Sequence, residues 1–161
     1  MIVTKHTKLQ NLKIAELDLL KTMTYEFETD LTNLVRSGYG LNRPVCTKDF
    51  IDQWFYELQR HGDKSVTLIY DNATMIGYVS WDIDSSELNN CVDINEVYVV
   101  RGHRRKGAAY KAISDVMSYV KDHYGISLVS LEVYTANVAA LKLYEKLGFQ
   151  SQPLIYTLFK K

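Results

Sequence analysis

Glu96-Val97-Tyr98-Val99-Val100-Arg101-Gly102-His103-Arg104-Arg105-Lys106-Gly107-Ala108-Ala109-Tyr110 is the stretch on which the reading of this chain turns. A β-branched strand runs into a short cationic turn, and the turn runs directly into a helix whose first positions are small. The first N–H groups of a helix lack intrahelical partners and sit at the positive end of its dipole, so this order of elements makes an anion site. Gly107, Ala108 and Ala109 have little or no side chain, which lets a diphosphate approach the backbone closely. Arg104, Arg105 and Lys106, with Arg101 nearby, add full positive charges. Cations at the positive end of a helix cost stability unless an anion binds between them. The patterns GxxxxGK[ST] and GxGxxG are both absent, against an ATPase or a dehydrogenase. Read from these residues alone, a phosphate cradle and a solvated basic turn both remain open.

The elements outward from this turn are legible by period. The strand begins near Cys91 and ends near Val100. Before it, Val66–Tyr70 and Thr74–Trp81 flank Asp71-Asn72 as a hairpin, and Ser85–Asn90 is a polar turn. After it, a helix runs from Gly107 to about His123, with Ala109, Ile113, Val116 and Val120 along one side and Gly125 as its stop. Leu128–Tyr134 reads as a strand, Asn137–Leu147 as a helix and Leu154–Phe159 as a closing strand.

In the N-terminal part, MIVTKH reads as a short strand. A helix covers Leu9–Leu20 and either continues through Tyr25 and Phe27 or breaks there. Ser37–Pro44 is a loop. Thr47 then caps a second helix with Phe50, Ile51, Trp54, Phe55 and Leu58 as its apolar face, and Gly62 stands past its end. Consecutive hairpins argue for antiparallel pairing, and a strand–helix–strand crossover argues for a parallel pair. A mixed, twisted α+β sheet follows.

The 161 residues are 47% hydrophobic and 24% charged, the balance of one ordinary globular domain spanning 1–161. Nineteen basic and nineteen acidic residues cancel, which argues against nucleic acid as the partner. The start, MIVTKHTKLQNLK, has no signal-peptide apolar region, and no run is long enough for a membrane helix. Cys46 and Cys91 are isolated, and His6, His61, His103 and His123 are scattered, so no metal is expected. These features together predict a cytoplasmic protein with no membrane partner.

Two stretches carry a resemblance. Arg104-x-x-Gly107-x-Ala109, after a strand reading Glu-Val-Tyr-Val-Val, resembles the pyrophosphate motif of the GNAT-type N-acetyltransferases, (Q/R)-x-x-G-x-(G/A). Leu131–Phe149 resembles that family's second motif, in which a strand ends, an Asn opens a helix, and the helix closes on Tyr-Glu-x-x-Gly-Phe. The Gly77-Tyr78-Val79 strand matches the family's hairpin, and the likeness covers roughly residues 64–150. Arg105 stands where many members have Gly and Arg101 where many have Pro.

The resemblance implies an α+β fold layered α/β/α, with a mixed, twisted GNAT-like sheet of six to seven strands and about four helices. It divides the domain into N-terminal helices at 1–62 that line the acceptor site and an acetyl-CoA-binding core at 64–150. Acetyl-CoA is then a cosubstrate, and the acceptor is a primary amine of a small molecule or peptide. Its implied contacts are the backbone of Val97, Tyr98 and Val99, the turn Arg104, Arg105, Lys106, Gly107, Ala108 and Ala109, and Asn137 and Tyr144. Glu96 becomes the general base, with Asp93 in reserve on the opposite face, and Tyr144 the acid that protonates the departing thiolate. Strand alternation places Glu96 on the face of Ile94 and Tyr98, where burial would raise its pKa. Helix grammar alone reads Asn137 as an N-cap and Tyr144 as a partner of Phe149 at a helix end.

Aromatics and acids at Tyr25, Glu26, Phe27, Glu28, Asp30, Tyr39, Trp54, Tyr56, Trp81, Asp82 and Asp84 suit a cationic amine, polyamine- or aminoglycoside-like or peptidic. A catalytically silent acyl-CoA sensor or interaction module is the alternative function. Family members are often dimers, which allows a homodimer, and no sequence feature specifies its interface.

Overall fold

The computed structural model describes residues 1–61, 64–84 and 90–151. Strand β1 (Ile2–Lys8) lies antiparallel to β2 (Ser65–Asp71), which pairs with β3 (Thr74–Asp84), and β3 with β4 (Cys91–Val99). Strand β5 (Leu128–Leu131) then joins β4 in parallel, so the order follows the chain, β1-β2-β3-β4-β5. The sheet is mixed as expected. It has five strands among the described residues where six to seven are expected, and the closing strand at 154–159 lies outside them.

Helices cover both faces. Helices α1 (Ile14–Tyr39) and α2 (Lys48–His61) pack on one, where Leu20, Met23, Ile51 and Phe55 meet Val66, Leu68 and Tyr78. Helix α3 (Ala108–Tyr124) covers the other with Ala112, Ile113, Val116 and Val120, all without solvent exposure, and α4 (Val138–Lys146) packs beside it through Leu143 and Tyr144. A fully buried Val or Ile contributes about 1.5–3 kcal/mol, so the α3 stripe fixes this layer. The result is the α/β/α layering that the family resemblance implies.

The N-terminal helix is longer than its sequence announces. A short 3-10 turn takes Leu9–Asn11, and α1 then runs unbroken through Tyr25 and Phe27 to Tyr39, with left-handed Gly40 as its cap. The expected loop at Ser37–Pro44 therefore begins only at Gly40. Packing explains the difference: a Cβ on Gly38 would stand 2.8 Å from the Ala136 Cβ, and the Tyr39 hydroxyl accepts from the Ala136 N–H at 2.8 Å. Tertiary contact overrides the weak helix propensity of glycine here.

Thr47 caps α2 as expected, accepting from the Phe50 N–H at 3.2 Å, while Phe50 itself points outward. The Gly62 stop and the turn at 85–89 lie outside the described residues.

Two irregularities position the site. Ser80 pairs with Glu96 and Trp81 with Ile94, leaving Asn95 as a bulge in β4. Val92 and Ile94 thus face α3, whereas Glu96 and Tyr98 face α1 and α2. The expectation that Glu96 shares the face of Ile94 is corrected by this extra residue. Asp93, opposite Asp82 in the ladder, shares the Glu96 face instead of standing behind it. Further along, Gly77 lies so close to β4 that a Cβ would fall 2.3 Å from the Tyr98 carbonyl oxygen.

Candidate active site

The pairing of β4 with β5 ends at Ile94 and Leu131, although β4 continues to Val99. Among the described residues β4 pairs with β3 alone from Asn95 onward, so its other edge offers backbone groups to a ligand, apart from the Val99 carbonyl that Arg104 takes. Strand β5 stops at Leu131, short of the expected Tyr134, because it diverges from β4 there.

The cationic turn follows. Arg101–His103 form a 3-10 turn, and Arg105 and Gly107 are left-handed, with φ of 63° and 81°. Left-handed residues in a turn converge successive N–H groups into an anion-binding concavity. Helix α3 opens with the Lys111 N–H on the Gly107 carbonyl at 2.9 Å, so the N–H groups of Ala108, Ala109 and Tyr110 precede any helical acceptor. A Cβ on Gly107 would meet nothing within 4 Å, so the approach to the turn is open. This is a backbone cradle of the kind a diphosphate fits.

The side chains of that turn are mostly committed elsewhere. The Arg104 guanidinium donates to the Val99 carbonyl at 2.7 Å and to Asp30 Oδ2 at 2.8 Å, and lies over the Tyr98 ring. Arg101 holds Asp30 Oδ1 at 2.6 Å, and Lys106 donates to the Gly102 carbonyl at 2.9 Å. Burial raises the Asp30 carboxyl, but hydrogen bonds and charge from Arg104 and Arg101 outweigh it and leave its pKa below the usual range. Arg105 is exposed and has no partner among the described residues.

On the opposite side of β4, Glu96 is half-buried, and desolvation pushes its carboxyl up to about 7. The Tyr78 hydroxyl donates to Glu96 Oε2 at 2.9 Å and accepts from Thr24 Oγ1 at 3.1 Å. Tyr78 is 1% exposed and Thr24 fully buried, and burial raises the phenol well above its ordinary pKa, so it stays a donor. Glu96 opens into a cavity of about 40 Å³ whose wall includes Leu20, Trp54, Phe55, Leu58 and Lys64. Lys64 is paired with Asp82, which also accepts from Asn95 Nδ2 at 2.9 Å.

Tyr144 stands where α4 ends. The Phe149 N–H bonds the Tyr144 carbonyl at 3.0 Å, the Gly148 N–H bonds that of Glu145 at 3.0 Å, and the Phe149 ring meets the Tyr144 ring edge to face at 5.8 Å. This is a Schellman cap with left-handed Gly148. The Tyr144 hydroxyl nevertheless has no hydrogen-bond partner among the described residues, and burial raises its pKa. Asn137 caps α4, accepting from the Ala140 N–H at 3.2 Å, which leaves its amide NH2 uncommitted among the described residues.

Several aromatics and acids expected at the acceptor site lie elsewhere. Trp81 is buried on the α3 face, donating to Thr67 Oγ1 at 3.0 Å. Asp30 is spent on the turn, Glu28 on Arg43 at 2.6 Å, and Tyr39 on the loop before α4. Glu26 accepts from the Tyr98 hydroxyl at 2.6 Å, and Tyr56 is exposed on α2. Asp93 accepts from Ser130 Oγ and, at 3.4 Å, from Cys91 Sγ. Conversely, Tyr78, Thr24, Ser80 and Lys64 were not legible as site residues. The available signal was period two: Tyr78 and Ser80 alternate on one face of β3, and Ser80 pairs with Glu96.

Among the described residues, no helix is long and apolar enough to cross a membrane, and no cluster of three or more His, Cys, Asp or Glu could hold a metal ion.

The sequence profile of the Acetyltransferase (GNAT) family matches residues 29–149. An N-alpha-acetyltransferase of Saccharolobus solfataricus is 29% identical over 119 residues, covering 68% of this chain and 71% of that protein. A probable spermine N(1)-acetyltransferase of Bacillus subtilis subsp. natto is 22% identical over 117 residues, 70% of this chain and 72% of its own. Among solved structures, AAC(6')-Iy in complex with the bisubstrate analogue CoA-S-monomethyl-acetylneamine shares the fold with a TM-score of 0.69 at 13% identity, over 99% of both chains.

Proposed function

Because the chain belongs to the GNAT acetyltransferase family, we propose that it transfers an acetyl group from acetyl-CoA to a primary amine of a small molecule or peptide, by direct attack through a tetrahedral intermediate. The observation that carries this reading is the position of Glu96. Its carboxyl, with a pKa near 7, lies in the stretch of β4 that has lost β5 as a partner, just before the phosphate-type turn. Relatives named for N-alpha and spermine acetylation, and a neighbour bound to an acetylneamine analogue of CoA, support an amine acceptor.

The open edge at Val97, Tyr98 and Val99 pairs with the amides of the pantetheine arm. The N–H groups from Arg105 to Ala109 hold the pyrophosphate, with Arg105, Arg104, Lys106 and Asn137 around it. An alkylammonium is inert, so Glu96 first accepts one of its protons, directly or through a water in the adjoining cavity. The free amine nitrogen attacks the thioester carbonyl carbon, and the carbonyl electron pair moves to oxygen. A backbone N–H of the unpaired β4 edge stabilises that oxyanion. The C–S bond then breaks, and Tyr144 gives its proton to the thiolate. The nitrogen's second proton restores the phenol, and the proton on Glu96 leaves to solvent. One ammonium and one thioester give one amide, one thiol and one proton. Cys46 and Cys91 are both unbridged, which supports a reducing, cytoplasmic setting.

A thermal-shift titration tests the donor half. At ~100 times its Kd a ligand stabilises by about 2.7 kcal/mol, which for this size is a rise of about 5–10 °C. Acetyl-CoA and CoA should produce it, and NAD and ATP should not. Thiol release with an amine panel tests transfer. Binding without transfer to any amine would leave the acyl-CoA sensor as the function.

A further inference from the structure

The carboxyl of Glu96 is reached by a line of hydroxyls from two other elements. Tyr78, on β3, donates to Glu96 Oε2 at 2.9 Å, and Thr24, on α1, donates from Oγ1 to the Tyr78 hydroxyl oxygen at 3.1 Å. Tyr78 and Thr24 are both buried, so water does not compete for either hydroxyl. The line is polarised in one direction: a phenol that accepts from Thr24 becomes a stronger donor toward the carboxylate.

The other groups around Glu96 leave that bond decisive. Burial pushes its carboxyl up, and the Tyr78 hydrogen bond is the largest influence drawing it down. Glu28, from α1, pushes it up, whereas Lys64, just before β2, draws it down, as does the Ser80 hydroxyl of β3. Glu28 is itself paired with Arg43, and Lys64 with Asp82, so neither charge acts on Glu96 at full strength. Helix α2 brings Trp54, Phe55 and Leu58 to the neighbouring cavity, and none of these carries a charge.

From this arrangement we infer that Tyr78 is a positioning residue for the transfer: anchored by Thr24, it orients the Glu96 carboxylate and sets the pH at which that group takes a proton. Its meaning for catalysis rests on Glu96 as the base proposed above. Without the bond, burial is less opposed and the carboxyl stays protonated at neutral pH, the wrong state for a base. With it, a dry site keeps a working fraction of carboxylate.

Carbon NMR of protein labelled at the glutamate carboxyls follows Glu96 without requiring transfer, and Glu96→Gln identifies its resonance. The wild-type midpoint should lie near 7. In Tyr78→Phe it should rise by about one pH unit or more, the effect of losing a hydrogen bond to a charged group. Thr24→Val, which keeps the shape and removes the hydroxyl, should raise it by less, and Thr24→Ser should leave it in place. The double variant should titrate as Tyr78→Phe alone, because Thr24 acts through the phenol. The acid limb of kcat/KM should move with the midpoint, so Tyr78→Phe loses about fivefold at pH 7 and little near pH 9. A merely structural role would lower activity evenly at every pH. An unmoved midpoint in folded Tyr78→Phe overturns the inference, as does a double variant in which the two effects add in full; should Tyr78→Phe fail to fold, equal midpoints in Thr24→Val and Thr24→Ser overturn it. Midpoints that move as expected, with no thiol released from any amine, break the transfer reading and leave the relay standing. Transfer with unmoved midpoints does the reverse.

Discussion

The two sides of β4 are built from different material. On the donor side the features are main chain: the edge left open after Ile94 and the N–H groups converging at Arg105–Ala109. On the acceptor side they are side chains: Glu96, Tyr78 and Thr24 in a buried hydrogen-bonded line beside an apolar cavity. A backbone site needs small residues and a particular dihedral, so it leaves a short, portable signature in the sequence. A side-chain site needs partners brought from Thr24, Tyr78 and Glu96, far apart in sequence, and leaves none. On the function proposed above, the first announces a shared cosubstrate, and the second sets what is private to this chain.

Glu96→Gln should break the comparison most sharply if it is right. Transfer should fall about 10²–10⁴-fold, the range for losing a general base, with acetyl-CoA affinity little changed. The wild-type kcat/KM should climb as pH rises through about 7, and the Gln variant should lose that limb. The stability sign is opposite. A carboxyl whose pKa is raised on folding ionises first in the unfolded chain, so wild-type stability falls as pH rises between the ordinary carboxylate range and about 7. The Gln variant should lose that decline in thermal melts. An unchanged pH profile would move the base elsewhere.

Tyr144→Phe comes next, about 10–100-fold on kcat with little change in KM, because only the proton donor is removed. Its hydroxyl has no partner among the described residues, so the melting temperature should stay within about 2 °C. A large thermal loss would make Tyr144 a packing residue alone.

Arg105→Gly is the smallest effect and acts on the donor side in two directions. A non-glycine residue at φ 63° carries about 1 kcal/mol of strain, so the variant should melt about 2–4 °C higher. It also removes the turn's uncommitted guanidinium, so acetyl-CoA should bind about three- to tenfold more weakly, more so at low salt. Tighter binding would mean that Arg105 crowds the cradle.

Legibility follows the same division. The strand–turn–helix, the crossover and the α3 stripe came from local period and small residues, as did Asn137 as an N-cap. Three of the failures share one cause, contact across long sequence separation. Gly38 and Tyr39 read as loop until Ala136 packs on them. Trp81 reads as acceptor lining until Thr67 accepts its N–H on the far face. Asp30 reads as solvated or substrate-binding until Arg101 and Arg104 close on it, and no local window holds all three. The place of Glu96 in a motif singles it out, but its face does not follow from alternation, because a bulge is invisible to that pattern.

Asn95 makes the handedness of this site a matter of odd and even numbers. Were Asn95 paired in the ladder instead of bulged, strict alternation would put Glu96 on the face of Ile94: either Val92 and Ile94 leave the α3 core, or Glu96 is driven into it. No change of residue type is needed to turn Glu96 away from its cavity, only the loss of the bulge with Asn95 kept in the ladder. A homologous strand with a gap at this position and no bulge would present the same set of residues to each face as β4 does.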